Sequence, residues 1–215
     1  MTEGYARHDL VWLDAGAPWQ PRTPGAQARL QAWFDAGHPA IVARHDPADA
    51  DDHLRLGVPL PPAEDKQRLS LSAPRISVVR RRAPLALDEV RRHAPADWQA
   101  PLQDLQALGD GLELQPRVFG AFAWQALTGL RYVHVGSDID LLWQVPAPAQ
   151  ARALLAQLAQ WEQRHGRRAD GELLLPDGRA VSWRELAGGS AQLLVKALRD
   201  CRLQPRAALL QAWGA

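Results

Sequence analysis

The sequence predicts an α+β chain in two parts, and three observations carry that expectation. Two short runs rich in β-branched residues, PAIVAR (39–44) and RISVVRR (75–81), lie among the prolines of the first third. From Leu85 onward the spacing turns helical and then presents a strand, a glycine and a helix in succession. Late in the chain GELLL (171–175) and RAVSW (179–183) flank a Pro-Asp-Gly turn, the pattern of a hairpin. A small α+β unit over 1–85, expected to bind substrate or partner, is thus followed over 86–215 by a mixed-sheet unit with flanking helices.

In the first part a helix is expected between Gly25 and Gly37, then strands at Pro39–Arg44 and Arg75–Arg81, with the proline-rich LGVPLPP (56–62) between them. Helical spacing over Leu85–His93 and Trp98–Leu108 is interrupted by Pro95 and Pro101 and closed by the GDG turn at 109–111. A strand at Leu114–Phe119 then runs into Gly120 and a helical AFAWQALTGL. Another strand is expected at Asp138–Val145. The helix at about Ala149–His165 aligns Ala151, Leu154, Leu155, Leu158 and Trp161 on one face, and Gly166 is its natural stop. LLVKAL (193–198) fits strand or helix equally, and RAALLQAW (206–213) closes the chain.

The bulk properties exclude several classes of protein. A chain of 215 residues with 47% hydrophobic content can bury a substantial core. Its 25 Lys and Arg against 24 Asp and Glu leave a formal charge of +1, which argues against a broad nucleic-acid surface. Cys201 is the single cysteine, so no internal disulfide and no multi-cysteine zinc site can form. The opening MTEGYARHDLVW has no leader pattern, and no apolar run approaches the roughly 18 residues a membrane span needs. A cytoplasmic protein with no membrane attachment is expected. The RHD triplets at 7–9 and 44–46 lack zinc spacing, so His8 and His45 read as structural or substrate-facing.

Chemistry concentrates in VGSDIDLLW (135–143). On a strand, successive side chains alternate between faces, so Asp138 and Asp140 project together while Ile139 and Leu141 face the other way. Two adjacent carboxylates repel unless a cation lies between them, and a divalent ion such as Mg²⁺ suits oxygen donors. Aspartate pairs also cap turns and sit at exposed strand ends. Here the pair follows a strand-to-helix corner at Gly120, where a helix N-terminus offers free N–H groups to phosphate. That combination resembles the nucleotidyltransferase signature, in which a third acid comes from a neighbouring strand. Asp170 and Glu172 are the candidates, and register decides between them.

More specifically, VFGAFAWQALTGLRYVHVGSDIDLLW (118–143) resembles the phosphoribosyl-dephospho-CoA transferases that mature malonate decarboxylase, also called its holo-acyl-carrier-protein synthases. RHDLVWL (7–13), PAIVAR (39–44), GVPLPPAEDKQR (57–68) and DGELLLPDGRAVSWREL (170–186) extend the resemblance along the chain. It implies a nucleotidyltransferase-like second domain. The implied reaction moves the phosphoribosyl-dephospho-CoA group from 2′-(5″-triphosphoribosyl)-3′-dephospho-CoA to a serine of the decarboxylase acyl-carrier subunit, with pyrophosphate leaving. Mg²⁺ would be held by Asp138 and Asp140. The third acid would complete the metal cluster or accept the hydroxyl proton.

One departure is visible: the pattern usually has serine after the glycine, whereas this chain has Ala121. Losing one hydrogen bond to a charged group costs roughly 1.5–3 kcal/mol, although the backbone N–H of residue 121 remains. The substrate's phosphates need cations, and Arg44, Lys66, Arg68, Arg117 and Lys196 are the candidates beside the Arg80–Arg82 run. Lys196 stands in an apolar context, where either a phosphate or a neighbouring carboxylate would satisfy its charge. Two other functions fit the same residues: a nucleotidyltransferase that uses an ordinary nucleoside triphosphate, and a non-catalytic carrier-binding module. Ala121 favours the module, and retention of Asp138 and Asp140 argues against it.

Overall fold

Antiparallel pairing organises the first part of the chain. The computed structural model describes residues 4–46 and 48–214 and divides the chain into two units, Met1–Pro84 with Leu198–Asp200, and Leu85–Ala197 with Cys201–Ala215. The first unit contains β1 (Leu10–Leu13), β2 (Gln20–Pro21), α1 (Gln27–Asp35), β3 (Ala40–Val42), β4 (His53–Pro59), β5 (Arg68–Pro74) and β6 (Val78–Arg82). Its sheet runs in the order β2-β5-β4-β3-β1-β6. Helix α1 and strand β3 lie inside the predicted segments.

Two expectations about this unit are corrected. Half of the proline-rich 56–62 stretch is strand: β4 turns Leu54, Leu56 and Val58 inward, and Pro59 stands at its last position, where the chain leaves the sheet. The strand expected at 75–81 starts at Val78, because Arg75–Ser77 form a short 3-10 turn. That turn is tied down through Ser77, whose hydroxyl donates to the Pro18 carbonyl (3.2 Å) and whose carbonyl accepts the Asp14 N–H (2.9 Å). The loop between β3 and β4 folds around buried Asp49. Its carboxylate accepts from Arg22 (2.7 Å), from Arg55 (2.8 and 2.9 Å) and from the Asp46 N–H (2.8 Å).

The second unit carries β7 (Leu85–Ala86), α2 (Leu87–Arg91), α3 (Gln99–Gly111), β8 (Pro116–Phe119), α4 (Gly120–Thr128), β9 (Ile139–Gln144) and α5 (Pro148–His165). It continues with β10 (Ala169–Leu174), β11 (Ala180–Ser182), α6 (Trp183–Ala187), β12 (Gln192–Lys196), β13 (Cys201–Pro205) and α7 (Arg206–Trp213). The sheet order is β13-β12-β11-β10-β9-β8-β7. Strands β9 and β10 pair in parallel across the α5 crossover, and the other neighbours are antiparallel. The sheet is therefore mixed, and the architecture is α+β.

Helix α3 runs through Pro101 and the GDG sequence instead of breaking there. Pro101 occupies the first turn, where its missing N–H costs nothing, and burial of Leu102, Leu105 and Gly109 outweighs the weak helix propensity of glycine. On α5, Ala151, Leu154, Leu158 and Trp161 are buried, and the Trp161 indole donates to the Pro101 carbonyl (2.9 Å), tying α5 to α3. The ambiguous 193–198 segment resolves as β12, held by five register pairs with β13. Ile139, Leu141 and Trp143 are fully buried on one face of β9, while Asp140 lies on the other face, half-buried.

Candidate active site

Strand β8 ends at Phe119, the N-cap of α4, and the chain turns there through Gly120 at φ +67°. A Cβ on Gly120 would fall 1.8 Å from Asp140 Oδ2 and 2.6 Å from its Cγ. Only glycine both adopts this backbone and leaves room for that carboxylate. Gly120 and Asp140, well separated in sequence, are thus in direct contact. Gln125 of α4 controls the return of the chain. Its side-chain oxygen accepts from the N–H groups of Tyr132 (3.2 Å) and Val133 (3.0 Å), and its amide donates to the His93 carbonyl (3.0 Å). Ala121 sits half-buried in the first turn of α4, where backbone N–H groups have no intrahelical acceptor.

Register places Asp170 directly opposite Asp140 and Glu172 opposite Leu142. Phe119 stands opposite Asp140 across the antiparallel β8/β9 pair, and Asp140 stands opposite Asp170 across the parallel β9/β10 pair. Directly opposite residues share a face, so the three form one row across the sheet. Two arginines stand beside Asp138 and Asp170. Arg168 lies 3.3 Å from Asp138 Oδ2 and 3.9 Å from Asp170 Oδ2, and Arg184 Nε lies 3.8 Å from Asp170 Oδ1. Asp170 Oδ1 also accepts the Gly171 N–H at 2.8 Å. Gly171 has φ +132°, and a Cβ there would meet the Leu141 carbonyl oxygen at 1.8 Å.

The other candidates lie elsewhere. Glu172 follows two residues on, opposite Leu142, and is 5% exposed; its Oε1 accepts from Lys196 Nζ at 2.9 Å. Of the two partners open to Lys196 in the sequence, the structure provides the carboxylate. Arg117 is exposed on β8 opposite Leu142. Arg44, Lys66 and Arg68 belong to the first unit and are exposed there: Arg44 after β3, Lys66 in the turn before β5 at φ +53°, and Arg68 at the start of β5.

The donors suit a hard divalent cation, since Asp138, Asp140 and Asp170 offer only carboxylate oxygens, and Gly120 leaves the Asp140 carboxylate its space. Among the described residues, no three His, Cys, Asp or Glu side chains stand close enough to share one ion.

Residues 85–207 match the family described as phosphoribosyl-dephospho-CoA transferase MdcG C-terminal domain, and residues 6–84 match its N-terminal domain. The chain belongs to the phosphoribosyl-dephospho-CoA transferase MdcG family. It is 59% identical to a phosphoribosyl-dephospho-CoA transferase of Xanthomonas campestris pv. campestris over 203 residues, 94% of this chain and 95% of the relative. Relatives of the same name from Bradyrhizobium diazoefficiens (36% identity; 93% of this chain, 90% of the relative) and Klebsiella pneumoniae (31% identity; 91% and 92%) extend the similarity across more distant bacteria. No solved structure matches the chain. The transferase family's C-terminal domain contains the whole Phe119–Asp140–Asp170 row. Among the described residues, no helix is long and apolar enough to cross a membrane.

Three parts of this site escaped the sequence reading: Arg168, Arg184 and the backbone of Gly171. Gly171 had a local signal, lying between the two acids of DGE. The arginines had none, because each meets its carboxylates only after the sheet has formed.

Proposed function

We propose that the chain transfers the phosphoribosyl-dephospho-CoA group from 2′-(5″-triphosphoribosyl)-3′-dephospho-CoA to a serine hydroxyl of the malonate decarboxylase acyl-carrier subunit, with Mg²⁺ as cofactor. The observation that carries this reading is the Gly120 corner packed against Asp140, itself opposite Asp170, within a chain that matches the transferase family over nearly its full length.

In this reaction the serine oxygen bonds to the phosphorus next to the ribose, the bond from that phosphorus to the bridging oxygen breaks, and pyrophosphate leaves. Asp138 and Asp140 would hold Mg²⁺, which when bound neutralises charge on the phosphate under attack and makes the attacking hydroxyl more acidic. Asp170 accepts the hydroxyl proton. The N–H groups of the first turn of α4, including that of Ala121, orient a phosphate oxygen; this backbone contact does not require the serine that the family pattern usually has. Arg168, more than half exposed beside Asp138, is placed to meet the departing pyrophosphate.

The test is the intact mass of the apo acyl-carrier subunit after incubation with the protein, Mg²⁺ and the triphosphoribosyl substrate. A gain of one phosphoribosyl-dephospho-CoA group, abolished by EDTA, is expected. No gain with a competent carrier and substrate overturns the reading, and a gain of a nucleotide from ATP redirects it to ordinary nucleotidyl transfer.

A further inference from the structure

Asp170 is held more firmly than its own long ion pairs account for. The residue before it, Ala169, donates its N–H to Glu162 Oε1 at 2.9 Å, and Arg184 donates both to that carboxylate and to the Ala169 carbonyl. The Arg184 guanidinium lies over the ring of Trp183, 4.4 Å from its centroid, and Trp183 is buried. The end of α5, the start of β10 and the start of α6 therefore meet on one arginine. On the other side of Asp170, the Gly171 N–H holds Oδ1. The Arg184 Nε–H is buried without a hydrogen-bond partner and lies 3.8 Å from the same Oδ1. The exposed Arg168 lies 3.9 Å from Oδ2.

We propose that Arg184 is a positioning residue: it keeps Asp170 Oδ1 turned inward and leaves Oδ2 as the oxygen that works on substrate. This inference rests on the transferase reading above. A buried donor seeks an acceptor, and a small rotation of Asp170 brings Oδ1 to the waiting Nε–H. With Oδ1 shared between Gly171 and Arg184, the carboxylate has one free oxygen with one direction. Lysine cannot reproduce this, because a single ammonium cannot serve Glu162, the Ala169 carbonyl and Asp170 in the fixed plane of a guanidinium.

The experiment is a double-mutant cycle on transfer to the acyl-carrier subunit, with Arg184→Gln, Asp170→Asn and the two combined, and thermal melting of each variant. Arg184→Gln should lower kcat by about 10- to 100-fold while KM for the triphosphoribosyl substrate stays within about twofold. In the Asp170→Asn background the same change should cost nothing further, because groups acting as a unit are not additive. If Arg184→Gln melts below the assay temperature, Arg184→Lys carries the same cycle, since it keeps a cation for Glu162. Losses that multiply, or a kcat that does not fall, overturn the inference while leaving the function standing. Absence of transfer by the unaltered protein overturns the function and this inference with it.

Discussion

Asp49 and Asp170 are both aspartates flanked by two arginines, one in each unit, and their differences separate a carboxylate filled by its partners from one left open. Asp49 has no side-chain exposure, and each of its guanidinium contacts is 2.7–2.9 Å. The Arg55 hydrogen bond is the chief reason its carboxyl titrates at about 2. Every acceptor direction on it is occupied, so it can bind nothing else. Asp170 is 38% exposed, and its arginines stand 3.8 and 3.9 Å away. Contacts of that length balance charge without filling the coordination of the carboxylate, which leaves room for a ligand.

The comparison can be broken most sharply at the partner of Asp170. Asp140→Asn should lower carrier transfer by roughly 10³-fold with an unchanged melting temperature, read as initial rate and circular dichroism. Near-normal turnover would remove the row from the chemistry. Gly120→Ala comes next, at about 10²-fold, because its Cβ must displace the Asp140 carboxylate from 1.8 Å and the φ of +67° disfavours any side chain.

Asp49→Asn should do the reverse. We expect a loss of about 2 kcal/mol of stability in chemical denaturation, less than for a fully buried pair because Arg22 and Arg55 keep solvent access. Turnover per folded molecule should be unchanged; a matching fall in kcat would give Asp49 a role in the site. The smallest effect is in pH. Because folding depresses the Asp49 pKa from 3.8 to about 2, its contribution is complete above pH 3.8 and disappears as pH falls through about 2. The stability gap between wild type and Asp49→Asn should close over that window, as followed by tryptophan fluorescence.

How much of the site could be read in advance varied with the range of the interaction. The Gly120 corner and the outward face of Asp140 follow from local rules, a strand-glycine-helix succession and strand alternation, whereas Asp138, expected on the same strand, lies one residue before β9 begins. The choice between Asp170 and Glu172 required the parallel register of β9 and β10, which sequence spacing does not fix, and it required the burial of Glu172 against Lys196. Strand β4 was hidden because Pro59, Pro61 and Pro62 resemble a breaker, although only Pro59 lies in the strand, at its last position. Helix α3 outran its expected end because the buried face of Leu102, Leu105 and Gly109 outweighs local propensity.

The sequence by itself determined which carboxylates and which glycine corner the chain offers, because residue type and short-range geometry set which atoms are available and how they alternate. Only the tertiary structure decided which acid stands opposite Asp140, which lysine is spent on a carboxylate, and which arginines stand beside Asp170. Those choices depend on strands and helices that meet across tens of residues, where packing and burial select one partner among several of the same charge.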